Sequence, residues 1–330
     1  AMTPALFANL GYDATVINRI HFQQKSKFKA TRHMEFLWEG AKLSNEEDLD
    51  LKIFTHVLHT HYSAPRGFDF ENPGVSPVSG YNANGRARDF INQMRQRQRA
   101  YRTNHILVPF GDDFKFKQAA RQFSSMGNVI QAVNSQKNMN VHVRYSTLSE
   151  YFQAVYAEAT QKKINFPVYK LDFFPYADNG DSYWSGYYTT RPTLKAATRT
   201  ADKTLRAVEA AYAMGRAILR ADEYAWEAKF AAVQQLREEA SLVLHHDAIT
   251  GTSRATVVSD YLRRLTQSSA GAMGVAADVW GRLLAKPGSS PPKLTSAQYR
   301  LSFDGTGIPN DGTNGPLDAQ GYPAIVQNPL

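Results

Sequence analysis

The 330-residue chain contains no cysteine, which excludes internal disulfides, thiolate metal ligands and a cysteine nucleophile. It also lacks an Asn-x-Ser/Thr acceptor, and together these absences weigh against a heavily glycosylated, disulfide-bonded product. No stretch stays apolar over the ~18 residues that a membrane span requires. The opening Ala1-Met2-Thr3-Pro4 carries neither a signal peptide nor a basic amphipathic presequence, and no internal repeat is present. Acidic residues are outnumbered, 30 against 38 basic, which gives a net charge of +8 and raises a nucleic-acid reading. The basic residues gather at Lys25, Lys27, Lys29 and Arg32, and again at Arg86, Arg88, Arg95, Arg97, Arg99 and Arg102. No nucleic-acid-binding signature accompanies either group, so solvated surfaces are expected and no nucleic-acid partner is.

Aromatic residues are plentiful at 12%, as is common where sugars or other flat ligands are bound, although burial in a large core is the default role of rings. Residues 14–20, 53–58, 105–110 and 140–145 read as strands. Helical patterns over 87–101, 116–136 and 148–159 alternate with them, and a Pro/Gly-rich loop covers 63–86. Such alternation predicts βαβ units with a parallel sheet, whose working loops lie beyond the strand C-termini. From about residue 193 the apolar spacing becomes helical, through Leu205, Val208 and Tyr212, then Phe230, Val233, Leu236, Ala240 and Val243. Two further helices are expected at 253–265 and 276–284, and the Pro-, Gly- and Ser-rich stretch 286–323 reads as a linker.

Three clusters could carry chemistry. His245-His246-Asp247 ends an apolar helix; His246 suits a divalent metal and Asp247 a hydroxylated ligand. Histidines near a helix C-terminus may equally serve only to cap it, and neighbours on a helix diverge, so one metal-binding histidine at most is expected. Asp112-Asp113 follows the apolar run 106–110; adjacent like charges raise one pKa, as a general acid needs, but the pair could instead cap a helix. The third cluster is Asp172-Phe173-Phe174-Pro175-Tyr176-Ala177-Asp178 with Tyr183-Trp184-Ser185-Gly186-Tyr187-Tyr188 and Arg191-Pro192. It suits either a sugar site or a hinge packed with rings.

These clusters, in this order, resemble the class II α-mannosidases of glycoside hydrolase family 38. Gly111-Asp112-Asp113-Phe114-Lys115-Phe116 and His245-His246-Asp247-Ala248-Ile249-Thr250-Gly251-Thr252 carry the resemblance, with the aromatic run between them. So do Gly11-Tyr12-Asp13, Arg19-Ile20, Ile53-Phe54-Thr55 and His61-Tyr62. Arg19-Ile20-His21-Phe22 departs from the family's commoner Arg-Ile-Asp-Tyr.

The resemblance implies an α/β fold, part of a seven-stranded β/α barrel with a parallel sheet, followed by an α-helical bundle. Its divisions would be 1–170 (barrel), 171–192 (connecting loop), 193–285 (three-helix bundle) and 286–330 (linker and start of a β-sandwich). It implies a retaining, zinc-dependent exo-glycosidase that removes terminal α-linked mannose from N-glycan oligosaccharides. Zinc would be the cofactor with His246 as a ligand; Asp113 would be the acid/base with Asp112 beside it; Arg19, Tyr62 and Asp247 would bind substrate. The partner would be a mannose-containing oligosaccharide or glycoprotein glycan, a homodimer is possible, and the place would be the lysosome or Golgi lumen. The family's nucleophile segment and His-x-Asp zinc motif have no match here, so this segment alone is expected to be inactive, with those residues upstream. A non-catalytic mannose-binding relic of the same fold is the alternative.

Overall fold

The first helix, α1 (Thr3–Asn9), holds Pro4 in its first turn, where a missing N–H breaks no helical bond. The computed structural model describes residues 2–40, 51–219, 225–286 and 289–291. It divides into two compact units, Ala1–Trp184 and Ser185–Leu330.

The first unit is built on four short strands. They are β1 (Ala14–Ile17), β2 (Glu35–Glu39), β3 (Lys52–Val57) and β4 (Val168–Tyr169), in spatial order β1-β3-β2-β4. β1 runs parallel to β3 and β2 parallel to β4, but β2 pairs antiparallel with β3, setting Glu35 opposite His56. The sheet is therefore mixed, a correction to the expected parallel sheet. The sequence pattern missed β2 and the helix before it, α2 (Phe22–Thr31). Seven of α2's ten residues are Gln, Lys, Ser or Thr and only Phe28 is buried, so it has almost no apolar stripe to read.

The helices α3 (Ala83–Gln98), α4 (Ala119–Asn134) and α5 (Leu148–Lys162) follow. A reciprocal cap starts α5: Thr147 Oγ1 accepts from Glu150 N (3.2 Å) while Thr147 N donates to Glu150 Oε2 (2.8 Å). Phe68 and Phe70, both fully buried, pin the loop before α3 against Phe90, Met94 and Val129.

The runs 105–110 and 140–145 form no strand among the described residues, contrary to expectation. Their apolar side chains (Ile106, Val108, Phe110, Val141, Val143) do pack on the α3–α4 core. What the pattern encoded was a buried face, and the ladder is replaced by a side chain: Asn134 Nδ2 donates to Val143 O and Asn134 Oδ1 accepts from Val143 N, both at 2.9 Å.

The second unit consists of α6 (Pro192–Ile218), α7 (Trp226–Leu242) and α8 (Ala255–Leu283). Val208, Ala211, Val233, Leu236, Val243, Leu265 and Ala272 form its core. A break was expected between 265 and 276, yet α8 runs through as one helix, about 1.5 Å per residue over its 29 residues. Gly271 and Gly274 cost about 1 kcal/mol each in a helix interior. Burial of Leu262, Leu265, Ala272, Ala276 and Val279 on both sides outweighs that cost. α6 and α8 approach closely at Gly215, where an added Cβ would stand 2.7 Å from Val279 Cγ1 and 2.8 Å from the Trp226 ring.

The sequence-based linker and β-sandwich start at 286–330 fall almost wholly outside the described residues, as does the apolar run 324–326. No helix among the described residues is long and apolar enough to cross a membrane.

Candidate functional site

Within the first unit, loops leaving β1 and β3 meet the turn after Phe110. Arg19 lies two residues past β1, and its guanidinium stacks on the Trp184 ring (4.5 Å to the centroid) and reaches the Tyr62 ring (5.9 Å). Arg19 Nη2 donates to Tyr62 OH at 3.5 Å, and Tyr62 OH donates to Asp113 Oδ1 at 3.4 Å. Tyr176 packs edge-on against Trp184 (5.2 Å) across a tight pairing of Ala177 with Tyr183. Three of the predicted residues, Arg19, Tyr62 and Asp113, are thus brought into one exposed chain of contacts with an aromatic wall. Both hydrogen bonds are long, leaving Arg19 with donors and Asp113 with acceptors to offer a ligand.

The two aspartates differ in environment. Asp112 Oδ2 accepts from Ser63 Oγ (2.5 Å) and Asp112 Oδ1 from the Asp113 N–H (2.8 Å). These two donors, more than the nearby His61 and Lys115 cations, hold the Asp112 carboxyl below the usual carboxylate range. For Asp112 the expected upward push from a like-charged neighbour is corrected: the hydrogen bonds win. Asp112 is an anion that clamps the turn, and Asp113 is left free for other work. Gly111 makes the turn possible at φ 135°, and its carbonyl accepts from Ala64 N (3.2 Å). Ser63 was not singled out in the sequence; its place immediately after Tyr62 was the available signal.

His21, the departure from the commoner family pattern, has a local job. Its Nδ1 accepts from Gln23 N (3.3 Å) and caps α2, while Nε2 lies 3.4 Å from Tyr183 OH.

In the second unit, α7 ends at Leu242 and the chain continues in turns, with Val243 and Ala248 buried as anchors. Because His245 and His246 lie past the helix end, the expected divergence of adjacent side chains does not apply. Their rings sit 4.4 Å apart, and their Nε2 atoms lie 3.7 and 4.0 Å from Asp247 Oδ2. Asp247 Oδ1 accepts from Thr252 Oγ1 (2.7 Å), which orients the carboxylate with Oδ2 toward the imidazoles. Lys195 Nζ donates to the carbonyls of Thr190 and Ile249, both at 2.6 Å, and ties this turn to the start of α6. Gly251, at φ 77°, is required where a Cβ would stand 2.7 Å from Thr190 O.

The ligand atoms of His245, His246 and Asp247 lie within 4.8 Å of one another and are all exposed. Two imidazoles and a carboxylate are a donor set that zinc takes, and a small closure would bring them to tetrahedral spacing. These residues therefore fit the cofactor that the sequence implied, as part of a ligand set.

A third cluster escaped sequence reasoning. His56 Nδ1 lies 2.9 Å from Glu35 Oε1, Tyr151 OH donates to that same oxygen (2.7 Å), and the His56 ring stacks on Tyr101 at 5.0 Å. Glu35 and His56 are fully buried. Burial first, and then the Glu35 carboxylate, pushes the Tyr151 phenol well above its ordinary value. Sealed from any ligand, this network joins β2, β3 and α5.

The first unit thus carries an exposed carboxylate beside an aromatic wall, and the second a separate histidine–carboxylate cluster. The glycosyl hydrolases family 38 N-terminal domain matches residues 1–179, and the alpha mannosidase middle domain matches residues 182–283. This chain belongs to glycosyl hydrolase family 38. It is 36% identical to alpha-mannosidase F of Dictyostelium discoideum over 81% of its own length and 26% of the relative's. With alpha-mannosidase 2 of Drosophila melanogaster it shares 32% identity over 94% of this chain and 30% of the relative. With the lysosomal alpha-mannosidase of Dictyostelium discoideum the figures are 31%, 90% and 29%. The chain thus spans under a third of the length of these relatives.

Proposed function

We propose that the protein containing this chain is a retaining, zinc-dependent exo-α-mannosidase that removes terminal α-linked mannose from N-glycan oligosaccharides. The observation that carries this reading is the Arg19–Tyr62–Asp113 chain of contacts beside an aspartate already held as an anion by its own donors. It supports Asp113 as the acid/base, protonating the departing glycosidic oxygen and later deprotonating water. Asp112 keeps the turn in place. Arg19 and Tyr62 hold sugar hydroxyls near the scissile bond, and the Trp184 and Tyr176 rings offer faces for the C–H patches of the sugar. In the second unit Asp247 binds sugar hydroxyls and His246 is a zinc ligand, with the His245 imidazole close enough to assist. When bound, zinc supplies Lewis-acid polarisation of those hydroxyls.

No segment of this chain matches the family's nucleophile or its His-x-Asp motif, so we infer that the 330 residues alone do not turn over substrate. The remaining implied features stand as proposals on the same footing. Residues 1–170 are part of a seven-stranded barrel, 171–192 a connecting loop, 193–285 a helical bundle, and 286–330 a linker into a β-sandwich. The protein works in the lysosome or Golgi lumen, the first of which the lysosomal relative supports, and can form a homodimer.

The test is release of 4-nitrophenol from its α-mannoside by the complete protein with zinc supplied. Hydrolysis that a chelator abolishes and zinc restores is expected, with α-mannose as the first-formed product. Absence of hydrolysis with zinc present overturns the reading.

A further inference from the structure

Three cationic side chains, Lys25, Lys29 and Arg97, and the His59 imidazole converge at the C-terminal end of β3, and none belongs to the site described above. Lys25 and Lys29 stand one turn apart on α2, and Lys25 Nζ donates to Thr60 O (2.7 Å), which seats that face of α2 against residues 59–60. Arg97, in the last turn of α3, stands one turn before Tyr101, whose hydroxyl donates to Val57 O (2.8 Å). The two helices thereby bring Lys29 and Arg97 to His59, which lies between the two anchored carbonyls in sequence.

What these groups lack is a counter-charge. Arg97 is only 7% exposed, yet no hydrogen bond or ion pair engages its guanidinium among the described residues, and the same holds for Lys29 Nζ. His59 Nδ1 is buried and has no hydrogen-bond partner among the described residues. Lys25 differs, since its three protons go to Asn18 O, Asn18 Oδ1 and Thr60 O. Among the described residues no carboxylate acts on any of the four. Glu35 reaches Tyr101 but directs its Oε1 to His56 and Tyr151. Arg97 as a whole is 7% exposed, and its guanidinium, with no anion beside it among the described residues, has its donors available to an incoming one.

We propose that Lys29, His59 and Arg97 form a binding site for a tetrahedral oxyanion, either inorganic phosphate or the phosphoryl group of a monoester. The guanidinium fork offers two parallel N–H donors to two oxygens, Lys29 a third, and His59 Nδ1–H a fourth. Lys25, fully engaged, contributes charge without ligating. Lys29 and His59 are half-exposed, which leaves the ion a way in from solvent. Burial first, and then the neighbouring cations, holds His59 down at about 4 and Lys25 at about 8. An anion seated among them acts in the opposite direction on both. None of this depends on the mannosidase reading.

The experiment compares the whole chain in phosphate and in chloride at equal ionic strength, by thermal unfolding and by NMR titration of His59. Glucose 6-phosphate forms a third arm. Phosphate is expected to raise Tm by several degrees and the His59 pKa by about 1–3 pH units. Both responses should vanish in Lys29→Gln and Arg97→Gln and persist in Arg199→Gln, an exposed arginine of the second unit. Should Arg97→Gln fail to fold, the half-exposed Lys29 variant still decides. A response to phosphate alone assigns the free ion, to the ester alone a bound metabolite, and to both the phosphoryl group from either source. Equal Tm and an unmoved His59 in all three buffers, or a response that survives in the Lys29 variant, overturns the proposal.

Discussion

The two units bury polar groups in different ways. In the second, Thr198 and Ser268 are buried, but their hydroxyls donate to the carbonyls of Leu194 and Arg264, four residues back in their own helices. In the first, buried polar side chains bridge segments far apart in sequence. Glu35 meets His56 and Tyr151; Gln122 Oε1 accepts from Phe70 N (2.9 Å); Ser125 Oγ accepts from Val78 N (3.4 Å). A helical bundle can satisfy its polar groups locally and leave its core to apolar packing. A short sheet with long connections needs cross-links between distant segments, and here they join β2, β3 and α5, and α4 with the loop before α3.

The sharpest way to break this contrast is to remove a cross-link. His56→Leu leaves the Glu35 carboxylate buried without its imidazole and should cost about 3–5 kcal/mol, read as faster hydrogen exchange at the β3 amides. Acid comes next. His59 titrates at about 4 when folded against an ordinary 6.5, so the unfolded chain binds a proton that the folded chain refuses. In chloride, stability of the first unit should therefore rise with pH from about 4 to 6.5, and His59→Gln should flatten the profile in that window. In the second unit, Thr198→Val removes only a helix-local bond and should cost about 1 kcal/mol or less by chemical denaturation. Smallest of all is Arg264→Gln. It cuts a part-buried pair with Glu239 (2.6 Å) whose arginine faces solvent, and should leave the midpoint of chemical denaturation almost unmoved.

The same contrast explains what could be read from the sequence. Helical spacing revealed Val208, Val233, Leu236, Ala240 and Val243, all of them buried, because the bundle's partners are set by one periodicity. Where it overreached, as with Phe230 at 41% exposed, the stripe was wider than the core it faces. In the first unit β1, β3 and the three longer helices were legible, whereas β2 was not. Its residues Glu35-Phe36-Leu37-Trp38-Glu39 begin with a buried carboxylate whose partners lie 21 and 116 positions away. The aromatic and Asp-Asp segments were visible as motifs, but the inequality of Asp112 and Asp113 was not. It arises from Ser63, 49 residues earlier, and from a glycine turn that only the folded chain displays.

The central claim, that Asp113 is the acid/base of a family 38 mannosidase and Asp112 its clamp, is tested most directly by comparing Asp113→Asn with the unaltered complete protein. Both should be assayed on two α-mannosides, one with a poor leaving group and one with an activated leaving group. The account predicts that kcat falls about 10²–10⁴-fold on the poor leaving group, and far less on the activated one, which needs no proton for departure. A variant that hydrolyses both substrates at the unaltered rate would contradict it.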